Sequence, residues 1–147
     1  MVWLEKIKAR LLKGEEIESI LKDFGWRDFE EFVAEFFSSN DFNVKRKVRF
    51  KTDKRQEIDI VAERMNYIFC VDCKKWARGR YKKSALRKAA EKQEERCEEL
   101  KKFLKDNKKY IPLIVTLYEE DILKFNSTFF VPVWKLNKFL TEVEEYF

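Results

Sequence analysis

Residues Glu57 to Trp76 read EIDIVAERMNYIFCVDCKKW, and this stretch decides the fold. Alternation predicts a strand over Glu57 to Glu63, with Ile58, Ile60 and Ala62 on one face and Glu57, Asp59 and Val61 on the other. A second strand, Tyr67 to Lys74, follows a tight turn at Met65 and Asn66, as expected of an antiparallel hairpin. Strand side chains repeat every two residues, so Asp72 and Lys74 project from one face, and Asp59 on the neighbouring strand can face them. Charges inside strands this apolar are costly unless they pair or hold a cation.

Upstream, Asn40 and Asp41 mark a turn. Beyond it Phe42 to Phe50 alternates, with Phe42, Val44, Val48 and Phe50 on one side and Asn43, Lys45, Lys47 and Arg49 on a basic outer side. The first three strands thus form a meander. Before them a helix follows Trp26, with Asp28 expected as N-cap and Glu31 completing a capping box. Its core stripe is Phe29, Phe32, Val33, Phe36 and Phe37. Glu31 and Glu35 fall opposite that stripe, whereas Glu30 lies at its border and aims toward the interior. Two short amphipathic helices broken near Gly14 are expected over Val2 to Leu21, with Trp3, Ile7, Leu11, Ile17, Ile20 and Leu21 as the apolar set. Residues 1–25 read as an N-terminal helical extension and 26–147 as the main domain.

Downstream, Leu86, Ala90, Gln93, Cys97, Leu100 and Leu104 set out a long helix from about Arg80 to Lys105. The nearly continuous apolar run Pro112 to Tyr118 is expected as a central strand covered on both faces. A short strand at Phe129 to Val133 and a helix from Trp134 to Phe147, with Leu136, Phe139, Leu140 and Val143 inward, close the chain.

At 147 residues with 45% hydrophobic content and 14 Phe, the chain can bury a core without disulfides or structural metals. It contains no histidine, which removes histidine triads, histidine general bases and the common zinc sites. Three cysteines cannot all pair within the chain, and neither a long apolar run nor a signal-like N-terminus is present. A cytoplasmic protein with no membrane partner is expected. The net charge of +5 conceals an asymmetry: Lys45 to Arg55 and Lys74 to Lys92 together carry +14, and the rest about −9. Such a division fits a basic face for a polyanion, or simply two solvated segments.

The chemistry that fits two carboxylates and an ammonium on one patch is phosphodiester hydrolysis with a hard divalent cation. A structural ion pair would use the same residues. The wider arrangement is more specific: a helix carrying FEEFV, then Glu-Ile-Asp59, twelve residues, and Asp72-Cys73-Lys74. It resembles the PD-(D/E)XK nuclease superfamily over roughly Trp26 to Tyr118, and within it the Mrr-type endonucleases and archaeal Holliday-junction resolvases. The resemblance implies an α/β restriction-endonuclease-like three-layer core of helix, three-strand antiparallel meander, helix and strand, with an N-terminal helical extension and a C-terminal strand and helix. It implies a metal-dependent DNA endonuclease in which Asp59, Asp72 and Glu30 hold magnesium, with manganese able to substitute, and Lys74 is catalytic. Ile58 stands where the family pattern has Pro, and Asp72 where Glu is more usual. The alternative is a non-catalytic nucleic-acid-binding module on the same fold.

The expected nucleic-acid contacts are Lys45, Lys47, Arg49, Lys75, Trp76, Arg78, Arg80, Lys82 and Lys83, with Trp76 or Tyr81 able to stack on an exposed base. Gln93 is a polar residue in an apolar stripe, either a helix–sheet contact or a neighbour of the site. Cys70 and Cys73 form C-x-x-C, but strand period sends them to opposite faces, against a zinc site. Related nucleases often work as dimers, so a homodimer on DNA is expected.

Overall fold

The computed structural model describes residues 2–23, 25–75, 83–117 and 122–146. Its elements are α1 (Val2–Leu12), α2 (Ile17–Lys22), α3 (Trp26–Ser39), β1 (Asn43–Lys51), β2 (Arg55–Arg64), β3 (Tyr67–Lys74), α4 (Lys83–Leu104), β4 (Lys109–Thr116), β5 (Leu123–Phe125), β6 (Thr128–Pro132) and α5 (Val133–Thr141), followed by a 3-10 turn over Val143–Tyr146. The strands form one sheet in the order β1-β2-β3-β4-β6-β5. β1 to β3 pair antiparallel, β4 runs parallel to both β3 and β6, and β5 pairs antiparallel with β6. This is the expected three-layer α/β core, enlarged by the short strand β5, for which the sequence shows no separate signal.

One face of the sheet packs against α3 and α5. Phe29, Phe32, Val33 and Phe37 of α3 join Phe69 and Val71 of β3, Leu113 and Val115 of β4, and Leu136, Phe139 and Leu140 of α5 in the largest core cluster. Burying each of these large side chains contributes roughly 1.5–3 kcal/mol. Ile7, Ile20 and Leu21 are buried in the same cluster, so α1 and α2 close one side of it. Leu11, expected inward, is 43% exposed. Helix α4 covers the other face through Leu86, Ala90, Cys97 and Leu100. Leu104, expected in the same stripe, is 45% exposed because it is the helix's last residue.

Two sequence expectations need correction. Helix α3 starts at Trp26 behind an extended Gly25, so Asp28 is not the N-cap but the third helical residue. There its carboxylate accepts the Gly25 N–H at 3.0 Å. Glu31 is free of any capping role and accepts the Trp3 indole N–H at 2.9 Å, while Glu35 accepts the Trp3 backbone N–H. Both acidic residues opposite the core stripe thereby fasten α1 to α3.

The second correction concerns the alternation of β1 and β2. Phe42 and Val44 pack in the α3-side cluster, but Val48 and Phe50 pack in the α4-side one. On β2, Ile60 and Ala62 face α3 whereas Ile58 joins Val61 facing α4. Neither strand keeps a single phase. The β1–β2 ladder runs from Asn43↔Glu63 to Lys51↔Arg55 and omits one pair, Lys47 with Asp59. Lys47 has φ of 50°, a left-handed conformation in mid-strand. It turns the ribbon over, so that residues on either side of it no longer share a face.

Candidate active site

β3 keeps strict period two. Tyr67, Phe69, Val71 and Cys73 point to the α3 face, Ile68 and Cys70 to the α4 face, and Asp72 and Lys74 follow the latter. Lys74 Nζ lies 3.1 Å from Asp72 Oδ2, with both side chains largely withdrawn from solvent. The β2–β3 ladder ends at Ile60↔Val71, so Asp59, one residue further, stands opposite Asp72. With no backbone partner from β2 at this point, the Cys73 N–H donates to Asp59 Oδ2 at 3.0 Å. A side chain has taken the place of a ladder bond.

The electrostatics follow from this placement. Burial, then the hydrogen bond to Asp72 and the like charges of Asp72 and Glu30, push the Asp59 carboxyl up to about 7, against the opposing pull of the Cys73 N–H. Two adjoining carboxylates cannot both ionise cheaply, so they share a proton or need a cation. Glu30 is 2% exposed, as its place at the border of the stripe predicts, and its Oε1 is buried with no hydrogen-bond partner among the described residues. It is near enough to act on both Asp59 and the Cys73 thiol. Among the described residues, no three carboxylates or thiols converge into a ready-made metal cage. What the fold supplies is the Asp59–Asp72 pair with Glu30 and Lys74 around it.

Burial first, then the charges of Asp59, Asp72 and Glu30, hold the Cys73 thiol well above the usual range. Cys70 lies on the opposite face in contact with Cys97, and all three cysteines are free and buried. Gln93 donates to the Cys70 carbonyl at 2.7 Å and accepts from Arg96, a helix–sheet contact beneath β3. Thr116, which no sequence motif singles out, is the β4 neighbour of Lys74. Its buried hydroxyl has no partner among the described residues. Its only signal is to be the one hydroxyl within the apolar part of the run PLIVTLY.

Of the expected nucleic-acid contacts, Lys45, Lys47, Arg49 and Lys83 are exposed and Lys75 is half-buried. Arg49 lies 3.5 Å from Glu57. The turnover at Lys47 places Lys45 and Arg49 on different faces of β1, so they do not form the single outer row that alternation implied. Trp76, Arg78, Arg80, Tyr81 and Lys82 lie outside the described residues.

Comparison with known proteins decides the family. The model of the Mrr catalytic domain, described as a restriction endonuclease, matches residues 21–109, more than half of the chain and all of α3 through β3. The chain belongs to the Mrr restriction-endonuclease family. An uncharacterised protein of Archaeoglobus fulgidus is 36% identical over 122 residues, covering 82% of this chain and 93% of its own. A crystal structure of a protein of unknown function is similar at 22% identity and a TM-score of 0.48, over 63% of this chain; the chain spans 48% of that protein's length. The matched range includes α3, β1, β2 and β3, on which Glu30, Asp59, Asp72 and Lys74 lie. No helix among the described residues is long and apolar enough to cross a membrane.

Proposed function

We propose that this protein is a metal-dependent DNA endonuclease, with Asp59, Asp72, Glu30 and Lys74 as its active site. The observation that carries the reading is the placing of Asp59 opposite Asp72 at the point where β2 leaves β3, with Lys74 Nζ 3.1 Å from Asp72. A surface ion pair needs no second carboxylate and no buried, unpartnered third one. Here Asp59 is driven to hold a proton near neutral pH, and Glu30 Oε1 is left unsatisfied.

The donor set fits a hard divalent cation. It is all carboxylate oxygen, without the nitrogen or thiolate that zinc prefers. Asp59 and Asp72 would hold magnesium, or manganese in its place, in the position of the shared proton, with Glu30 supporting them and water filling the rest. Such an ion supplies Lewis-acid polarisation of the scissile phosphate and a more acidic water.

The chain's own groups do the remainder. The Cys73 N–H fixes one Asp59 oxygen, so the carboxylate enters the site in one orientation. Lys74, held by Asp72, is placed to orient the attacking water and to stabilise charge building on phosphorus. Exposed Lys45, Lys47 and Arg49, with Lys75 and Lys83, supply sequence-independent attraction to the phosphate backbone. DNA is the substrate that the family implies. The N-terminal helices, residues 1–25, would be an addition to the nuclease core, and a homodimer the form that cuts two strands.

The test is cleavage of supercoiled, linear and branched DNA with magnesium, manganese or EDTA. Metal-dependent products that Asp72→Ala and Lys74→Ala abolish are expected. Salt-dependent binding without product, unaffected by Asp59→Ala, would make the protein a non-catalytic DNA-binding module and end the proposal.

A further inference from the structure

A lysine in the middle of a strand has no sequence reason to be left-handed. Lys47 has φ of 50°, although Gly, Asn and Asp are the residues that visit that region readily. The cost is local, and its consequence falls on the residue across the ladder. The pairs on either side, Arg46↔Ile60 and Val48↔Ile58, are formed, and the skipped pair is Lys47 with Asp59. Val44 and Ala62 face α3 before this point, and Val48 and Ile58 face α4 after it. Both strands therefore turn over at one step, without a change in register.

We infer that Lys47 is a positioning residue, whose left-handed backbone turns β1 and β2 over together so that Asp59 leaves the β2–β3 ladder and meets the Cys73 amide and Asp72. Asp59 has to serve two layers. The like charge of Glu30 acts on it from α3, on one face of the sheet, while Asp72 and Lys74 follow Ile68 and Cys70 on the other. In a strand of unbroken phase Asp59 would belong to one face only. At the turnover it lies between them, and its Oδ2 accepts the Cys73 N–H at 3.0 Å. The placement of Asp59 does not depend on the endonuclease reading; only its catalytic meaning rests on that.

The experiment compares four variants that all lack the lysine charge, and with it any pairing of that side chain to phosphate. Lys47→Gly and Lys47→Asn accept the left-handed conformation more readily than lysine; Lys47→Ala bears the same Cβ cost as lysine and controls for the lost charge, and β-branched Lys47→Val resists it. The primary measurement is hydrogen exchange of the Cys73 amide in metal-free protein, with the Val71 amide, inside the intact β2–β3 pairing, as internal reference. Gly and Asn should preserve Cys73 protection. Ala, which carries the same left-handed penalty as the native lysine, should leave it as in the parent, and Val, whose β-branch adds to that penalty, should lower it by roughly fivefold or more relative to Val71. Manganese affinity by calorimetry should separate the variants in the same order. If Val is too unstable to purify, Lys47→Thr, also β-branched, takes its place.

Equal Cys73 protection in all four, or a drop at Cys73 matched at Val71, would overturn the inference, since the latter is a plain loss of stability. Absence of DNA cleavage by the unaltered protein would instead refute the endonuclease reading and leave the exchange result standing.

Discussion

Replacing Asp59 with Asn should stabilise the metal-free protein above neutral pH and change little below about pH 4. In the unfolded chain this carboxyl ionises near 3.8, while in the folded protein it holds its proton to about 7. The folded state thus binds more protons across that window, and stability falls as pH rises through it. At 1.36 kcal/mol per tenfold change in proton activity, the displacement sets an upper limit of roughly 4 kcal/mol. Partial exposure and sharing of the proton with Asp72 reduce this to about 1–2 kcal/mol. Asn keeps an oxygen for the Cys73 N–H and cannot ionise. With about 2–4 °C per kcal/mol for a chain of this size, Asp59→Asn should melt some 3–6 °C above the parent at pH 8.5 in EDTA, by the same estimate, and by less than half of that margin at pH 5. Millimolar manganese should raise the parent's Tm at pH 8.5 and leave the variant almost unmoved, because binding to the folded state stabilises only a protein that has the site. Thermal and urea denaturation at the two pH values measure this directly. A gap that is the same at pH 5 and pH 8.5 would refute the account of the pair.

Three further outcomes are expected. Glu30→Gln should fold with unchanged or slightly higher Tm, since it removes a buried carboxylate facing Asp59, yet reduce metal-dependent cleavage by roughly 10–100-fold, read from initial rates against magnesium concentration. Arg64→Ala should cost about 2–3 kcal/mol in urea denaturation without altering cleavage per folded molecule: its guanidinium bonds the Asn40 carbonyl and the Tyr67 hydroxyl and sits 4.3 Å from the Phe42 ring centroid, away from the site. Lys45→Gln and Arg49→Gln should each lower the slope of log affinity for duplex DNA against log salt by about 0.9 for each phosphate that the native side chain neutralises; titrations at several salt concentrations show which side chains touch DNA, and an unchanged slope removes that residue from the interface.

Much of the geometry of the candidate site is legible because its central segment obeys the simplest rule. YIFCVDCK keeps period two from end to end, so Asp72 and Lys74 had to share a face, and a two-residue turn at Met65 and Asn66 set the register that brings Asp59 opposite Asp72. Glu30 is legible from the helical wheel, although the helix start is not where the capping pattern puts it: Gly25 and Asp28 form it, and Glu31 is spent on Trp3. The wheel position held because burial depends on the angle around the helix, which a shift of a few residues in the start does not alter. The turnover of β1 and β2 was not legible. Left-handed positions are announced by Gly or Asn, and here the residue is lysine inside the alternating run NVKRKVRFK. β5 was hidden for another reason, since three residues are too few to show a period.

The turnover also explains why a site with so much charge can sit within so apolar a hairpin. Asp72 and Lys74 project toward α4, where Ile114, Leu86 and Ala90 pack, and Glu30 comes from α3 on the far side of the sheet. An unbroken sheet would keep these groups in separate cores, each with an isolated carboxylate that burial would neutralise. Ending the β2–β3 ladder at Ile60 opens one gap through which both layers reach the same small volume, and the Cys73 N–H freed by that ending is the donor that secures Asp59. The broken ladder bond and the gathered carboxylates are therefore one feature. A substitution that restored regular pairing at Lys47 and Asp59 would make a better sheet and a poorer site.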